Sequence, residues 1–170
     1  MNGRKHQFGA LLAPVCSSFS SMNVGTSRRS AVTPWGNDFL QSVADGNMLM
    51  SRAVLLCLLV DTLGGVFVLE QPATSRIVWY PRFEWLHRQV EKVYMTAWWA
   101  RHYMALTPKR HRAWSNCPHV AKLDRGKLSR EARESCPIKT TVKQHKGPGK
   151  KAGYVGNKFL KKTQRLGRRN

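Results

Sequence analysis

Residues 53–69 read AVLLCLLVDTLGGVFVL, and the way this run divides decides the fold. Its 17 residues fall short of the roughly 20 apolar residues that a membrane-spanning helix needs, and Asp61 and the pair Gly64-Gly65 interrupt it. Two adjacent glycines mark a break between elements. The run is therefore expected to be the end of a buried helix followed by a buried strand, with no membrane span. Upstream, Phe39, Leu40, Val43, Met48, Leu49, Met50, Val54, Leu55 and Leu58 recur at helical spacings. Asn37 or Asp38 is placed to cap that helix, and Gly46 weakens it without forbidding it. Downstream, Val66-Phe67-Val68-Leu69 is β-branched and aromatic without polar alternation, the pattern of a central strand.

Working outward, residues 8–13 (FGALLA) form a short apolar run stopped by Pro14, a second buried strand. Strand, crossover helix and strand make a βαβ unit, which implies a parallel pair. Both strands then finish at one sheet edge, where ligands of open α/β sheets bind. That edge receives Cys16 after the first strand and Glu70 after the second. Residues 15–35, rich in Ser, Thr, Gly and Pro, read as a long loop. A short helix is expected near residues 82–90. Strands at residues 93–99 and 112–115 should form an antiparallel hairpin at the sheet edge, and a short helix is expected near residues 127–134.

Composition adds a second axis. Of 170 residues, 29 are Lys or Arg and 9 are Asp or Glu, a formal charge of +20. Such a charge speaks to partners rather than to fold, and polyphosphate is its commonest counterpart, an anionic membrane surface the next. Residues 139–170 hold eleven basic and no acidic side chain. That tail, with Lys150, Lys151, Lys161, Lys162, Arg165, Arg168 and Arg169, is expected to be disordered until it binds nucleic acid. The organisation expected is an N-terminal strand and Ser-rich loop (1–36), an α/β body (8–116), a mixed linker with one short helix (117–138), and the tail (139–170). The four cysteines form no C-x-x-C pair, which fits a reduced intracellular compartment, with nucleus or nucleoid favoured by the charge. Residues 1–33 contain Ser and Arg and no acid, a composition also found in organelle transit peptides. Cys117, His119, Cys136 and His145 do not follow a zinc-site spacing, and there is no Walker-type phosphate loop.

Three stretches resemble the cytosine-5 DNA methyltransferase family. Residues 14–20 (PVCSSFS) match Pro14, Cys16, Phe19 and Ser20 of a Pro-Pro-Cys-Gln-x-Phe-Ser motif, with Val15 for the second proline and Ser17 for the glutamine. Residues 70–72 (EQP) are similar to the family's Glu-Asn-Val. Residues 103–114, with Lys109, Arg110 and Arg112, look like its Tyr-Gly-x-Pro-Gln-x-Arg-x-Arg segment with the arginines one place early. The resemblance covers about residues 8–116 and implies a partial Rossmann-like methyltransferase sheet. It implies Cys16 as the nucleophile that adds to ring carbon 6 of cytosine, and Glu70 as the acid that binds ring nitrogen 3. Lys109, Arg110 and Arg112 would bind the nucleic acid, and a cationic surround such as Arg110 or Arg112 would lower the pKa of the thiol. The target base would have to leave its stack.

The family uses S-adenosylmethionine, held by a glycine turn after its first strand and an acid after its second. Neither is evident here, so the expectation is the catalytic half alone, inactive without an upstream or separate cofactor half. Segments EQP, YPRF and PKRH also resemble uncharacterised proteins of dinoflagellate algae, which carries no function with it. The same residues have plainer readings. Cys16 can be an exposed thiol, Glu70 an ion-pair partner of Arg76 or Arg82, and Arg110 and Arg112 a solvated face. The chain is then a non-enzymatic basic RNA- or DNA-binding protein, or a poorly folding product of a degenerate reading frame.

Overall fold

The computed structural model describes residues 8–144 and 153–156. It is a mixed α/β fold in two units, one of residues 1–98 and 111–124 and the other of residues 99–110 and 125–170. A four-stranded mixed sheet holds β1 (Gly9–Leu12), β2 (Val66–Pro72), β3 (Tyr94–Trp99) and β4 (Arg110–Ser115), in the order β1-β2-β4-β3. β1 and β2 are parallel, as the crossover reading requires, with Leu12 opposite Leu69. β4 runs antiparallel to β2, with Leu69 opposite Trp114 and Gln71 opposite Arg112.

Between β1 and β2 the chain makes a helical turn, α1 (Val24–Ser27), and the 22-residue helix α2 (Gln41–Thr62). Helix α3 (Pro81–Gln89) begins with proline at its first position, where the missing N–H leaves no bond unmade. Val43, Met50, Ala53, Val54, Cys57 and Val60 of α2 point inward, and all but Val43 join one core with Phe67 and Leu69 of β2, Phe83 and Leu86 of α3, and Trp114 of β4. Phe83 packs edge-on against Trp114, their ring centres 5.1 Å apart. Each such side chain, fully buried, contributes about 1.5–3 kcal/mol by transfer from water.

The division of residues 53–69 is as the glycine pair suggests. Gly64 sits at φ +75°, the left-handed conformation that stops a helix. Gly65 N–H then donates to the Val60 carbonyl (2.8 Å) and Gly64 N–H to the Asp61 carbonyl (2.9 Å), the paired bonds of a Schellman stop. Asp61 has a structural reason for interrupting the apolar run. Asn116 Nδ2 donates to Asp61 Oδ1 (2.7 Å) and to the Gly65 carbonyl (2.9 Å), while its Oδ1 accepts from Phe67 N–H (3.1 Å). One amide thus joins the helix end, the glycine turn and the strand start. Among the described residues α2 alone is long and apolar enough to cross a membrane, and its inner face belongs to this core.

Several expectations need correction. α2 starts at Gln41 with Leu40 in the capping position, because Asn37 is held back in the preceding loop, its N–H donating to the Ser27 carbonyl (2.8 Å). Phe39, Met48, Leu49 and Leu55, counted as core by their spacing, are exposed. Residues 15–35 are not a structureless loop. They carry 3-10 turns at Ser17–Phe19 and Ser21–Asn23, besides α1. The second unit contains α4 (Arg130–Glu134) and a two-stranded antiparallel sheet of β5 (Thr141–Gln144) and β6 (Gly153–Gly156), the sheet lying inside the stretch expected to be disordered. The rest of that tail lies outside the described residues.

Burial pushes the Cys57 thiol up from 9.0 to about 12. The folded state keeps that proton where the unfolded chain has lost it, so stability present below pH 9 declines as pH rises toward 12. Burial raises Tyr80 in the same direction, whereas Arg29, lowered to about 10 by desolvation, works against the decline above pH 10, because there the folded state has released a proton that the unfolded chain still holds. At neutral pH, iodoacetamide is expected to modify the half-buried Cys16 and Cys117 and to spare Cys57 until the protein unfolds. Mass spectrometry of the labelled peptides reads this directly. Cys57→Ala should reduce the loss of denaturant midpoint between pH 8 and pH 10. Rapid Cys57 labelling in the native protein would refute the buried-thiol assignment.

Candidate functional site

The parallel register brings the two chemistry-bearing segments out at one edge of the sheet. Leu12 faces Leu69, so residues 14–20 and 70–75 leave side by side. Strand alternation directs Phe67, Leu69 and Gln71 to the α2 face, and Gln71 is buried there. Its Nε2 donates to the Pro14 carbonyl (2.7 Å), and its Oε1 accepts from Ser75 Oγ (3.1 Å). A bridge between Ser20 and Ser75 continues the seam. Sequence reasoning treated Gln71 only as a motif neighbour. The signal was a polar residue at an inward position of an alternating strand, which must find partners when buried.

Cys16 stands at the head of the Ser17–Phe19 turn, half-buried, with its carbonyl accepting from Phe19 N–H (3.0 Å) and Ser20 N–H (2.9 Å). The turn is anchored by Phe19, fully buried in the core beside Tyr80. It is also anchored by Arg29, the largest fully buried side chain. Sequence reasoning missed Arg29, for nothing about an arginine in a Ser-rich stretch signals burial.

Glu70 alternates with Leu69 and Gln71, so it faces away from α2. Its carboxylate pairs with His111 Nδ1, and neither Arg76 nor Arg82 is its partner there. Arg76 instead donates to the Arg29 carbonyl and lies over the Trp79 ring at 5.0 Å. The His111 imidazole stacks on Trp98, with centres 5.0 Å apart and planes 28° from parallel. Such a pair fixes the ring and leaves Nε2 as its second nitrogen. What the backbone joins is therefore the pair of segments, while the carboxylate has its own partner across β4.

Arg112 lies opposite Gln71 in the β2–β4 ladder. Lys109 and Arg110 belong to the second unit, where the Lys109 carbonyl accepts from Ala100 N–H (2.9 Å). There the exposed guanidinium of Arg110 lies 5.5 Å from the Trp99 ring centre and that of Arg133 5.2 Å from the same ring. Arg125 lies 4.3 Å over Tyr103 and donates to the His102 carbonyl (3.0 Å). Arg125 and Arg133 were not singled out from the sequence, because their aromatic partners are more than twenty residues away. Lys150, Lys151, Lys161, Lys162, Arg165, Arg168 and Arg169 lie outside the described residues.

Charge divides along the same boundary. The second unit carries eighteen Lys or Arg against two Glu, and the first carries eleven against seven. The polycationic character is thus a property of a unit that includes residues 99–110 and α4, and not of the tail alone. Among the described residues no group of three His, Cys, Asp or Glu could hold a metal ion, and Cys136 Sγ is turned to the Ala132 carbonyl (3.3 Å). Compared with family models, with curated proteins and with solved structures, the chain shows no match.

Proposed function

We propose that the chain is a nucleic-acid-binding protein in which the second unit makes the polyanion contact. The first unit would be a Rossmann-like, cytosine-5-methyltransferase-like catalytic half that does not transfer methyl groups by itself. The observation that carries the binding reading is the concentration of charge in one unit, with exposed arginines lying over Trp99 and Tyr103. Arginine supplies phosphate contacts, and an aromatic face beside it offers bases a stacking platform. Supporting the methyltransferase-like half is the parallel β1–β2 pair, which sends Cys16 and Glu70 from one edge with Gln71 tying their segments together.

The residues present do not fit S-adenosylmethionine. The turn after β1 is taken by the Cys16 motif, and the turn after β2, Ala73-Thr74-Ser75, has no glycine, so no glycine turn follows either strand of the parallel pair. We therefore derive no methyl transfer. The pairing of Glu70 with His111 also favours a second reading, a binding protein in which Cys16 has no chemical part.

Fluorescence anisotropy with a labelled oligonucleotide across a salt series tests the binding. The logarithm of the affinity should fall linearly with the logarithm of salt concentration, by about 0.7–0.9 per phosphate neutralised. Deleting residues 139–170 should remove most of that slope, and Arg110→Ala with Arg133→Ala should remove part of what is left. Binding indifferent to salt would overturn the proposal. In parallel, an oligonucleotide carrying a mechanism-based cytosine analogue should be trapped by the wild type and not by Cys16→Ala. Tight, salt-sensitive binding without trapping would leave the binding function and dismiss the methyltransferase-like chemistry.

A further inference from the structure

A helix that is apolar all round is a helix covered all round. The later turns of α2 carry apolar residues on both faces, yet only one side of the helix meets the core. At 100° per residue, Val43, Met50, Val54 and Cys57 cluster on the inner face, while Met48, Leu49, Leu55, Leu56, Leu59 and Leu63 fall on an outer arc with Arg52 at its middle. The outer six are 44, 37, 54, 47, 54 and 63% exposed. Together that is about three whole aliphatic residues of free surface, roughly 500–600 Å², at the top of the range that single soluble chains leave bare. A standard interface takes about 800 Å² from each partner, of which the centre is apolar and the rim polar. The stripe therefore has the area of an interface centre, with Arg52 inside it and Gln41 and Asp45 continuing its line toward the start of the helix.

We infer that this face of α2 packs against the same face of a second copy of the chain, in an isologous two-fold dimer. Charge selects this occupant. Two copies of a protein of charge +20 repel one another over most of their surface, but α2 carries one Arg against two Asp and is the long element free of that excess. A polyanion or an anionic headgroup layer would be drawn to the basic unit and has no partner on this leucine face. Burying α2 in a bilayer would require withdrawing its inner face from Phe67, Leu69 and Phe83. A two-fold axis also suits the stripe, since antiparallel contact brings each leucine against leucines of the other copy.

Sedimentation velocity on the nuclease-treated full chain in high salt tests this. A species of twice the 19.4 kDa chain mass is expected, dissociating on dilution. The double variant Leu56→Glu, Leu59→Glu should sediment as a single chain and keep a cooperative melt, because neither side chain contributes to the core. The milder Leu56→Gln, Leu59→Gln should shift the dissociation midpoint at least tenfold. A wild type that stays a single chain at every concentration would overturn the inference, and so would a double variant that still dimerises. Partition of that single-chain wild type onto neutral vesicles would assign the stripe to lipid. The result is independent of the nucleic-acid titration, which reads the other unit.

Discussion

Replacing Arg29 by Met is expected to lower the melting temperature by about 10 °C. The guanidinium is buried, and it donates to five neutral acceptors. These are the carbonyls of Ser18 (2.9 Å), Pro34 (2.8 Å) and Val43 (3.5 Å), Ser18 Oγ (3.2 Å) and Asn47 Oδ1 (2.7 Å). Its carbon lies 3.8 Å over the face of Phe19, which offers a further attraction to the charge. Desolvation lowers its pKa to about 10, so it remains charged at neutral pH, and these dipoles must replace the water it has lost. Met fills much of the volume but leaves the acceptors unpaired, each at about 1–3 kcal/mol when fully buried. A net loss of about 3–5 kcal/mol follows, since some acceptors will reach water. In a chain of this length about 1 kcal/mol moves the midpoint by about 2–4 °C. Arg29→Lys should also be destabilising, because one ammonium has three donors and no planar fork with which to reach Pro34 and Asn47 together. Circular dichroism melts of the three proteins suffice. A shift under about 2 °C for Arg29→Met would show that the segment is held by other contacts.

The dependence on Arg29 marks where the sequence stopped being legible. β1, β2, α2, α3 and the parallel pairing follow from local rules. Apolar runs of the right length and a glycine pair each act within a few residues. The segment from Val15 to Trp35 obeys no such rule, since the contacts that hold it include those of Arg29, whose acceptors lie 5 to 18 residues away. Helical spacing identified α2 but did not separate its core face from its outer face, because apolar residues occupy both. At the candidate site, Glu70 and Cys16 could be placed at one edge from topology. The partner of Glu70 could not, for His111 is 41 residues distant in the chain. The basic tail was visible as composition. Its union with residues 99–110 and α4 in one unit required tertiary structure.

Gly46→Ala should be destabilising by about 2 kcal/mol, although alanine is the better helix former by about 1 kcal/mol. A Cβ at position 46 would stand 2.1 Å from Ser18 Oγ and 3.3 Å from Ser18 Cβ. A serine hydroxyl can ordinarily rotate away, but Ser18 is buried and this oxygen accepts from Arg29 Nη2. Relieving the clash therefore means breaking that bond or lifting α2 from the turn that carries Cys16. Overpacking of this kind costs about 1–3 kcal/mol, and loss of the hydrogen bond adds to it. The argument makes a sharper demand on the double variant. Ser18→Ala removes the offending oxygen and leaves a methyl about where the 3.3 Å contact was, which small shifts accommodate. Ser18→Ala alone should cost about 1 kcal/mol for one lost partner of Arg29. Added to Gly46→Ala it should recover stability, because the clash is gone and the helix gain remains. The two substitutions would then be non-additive by about 2 kcal/mol, the sign of residues in direct contact. Denaturant titrations of the wild type, the two single variants and the double variant close this cycle. Additive losses would mean that Gly46 and Ser18 do not touch, and α2 would not be seated against the Cys16 turn.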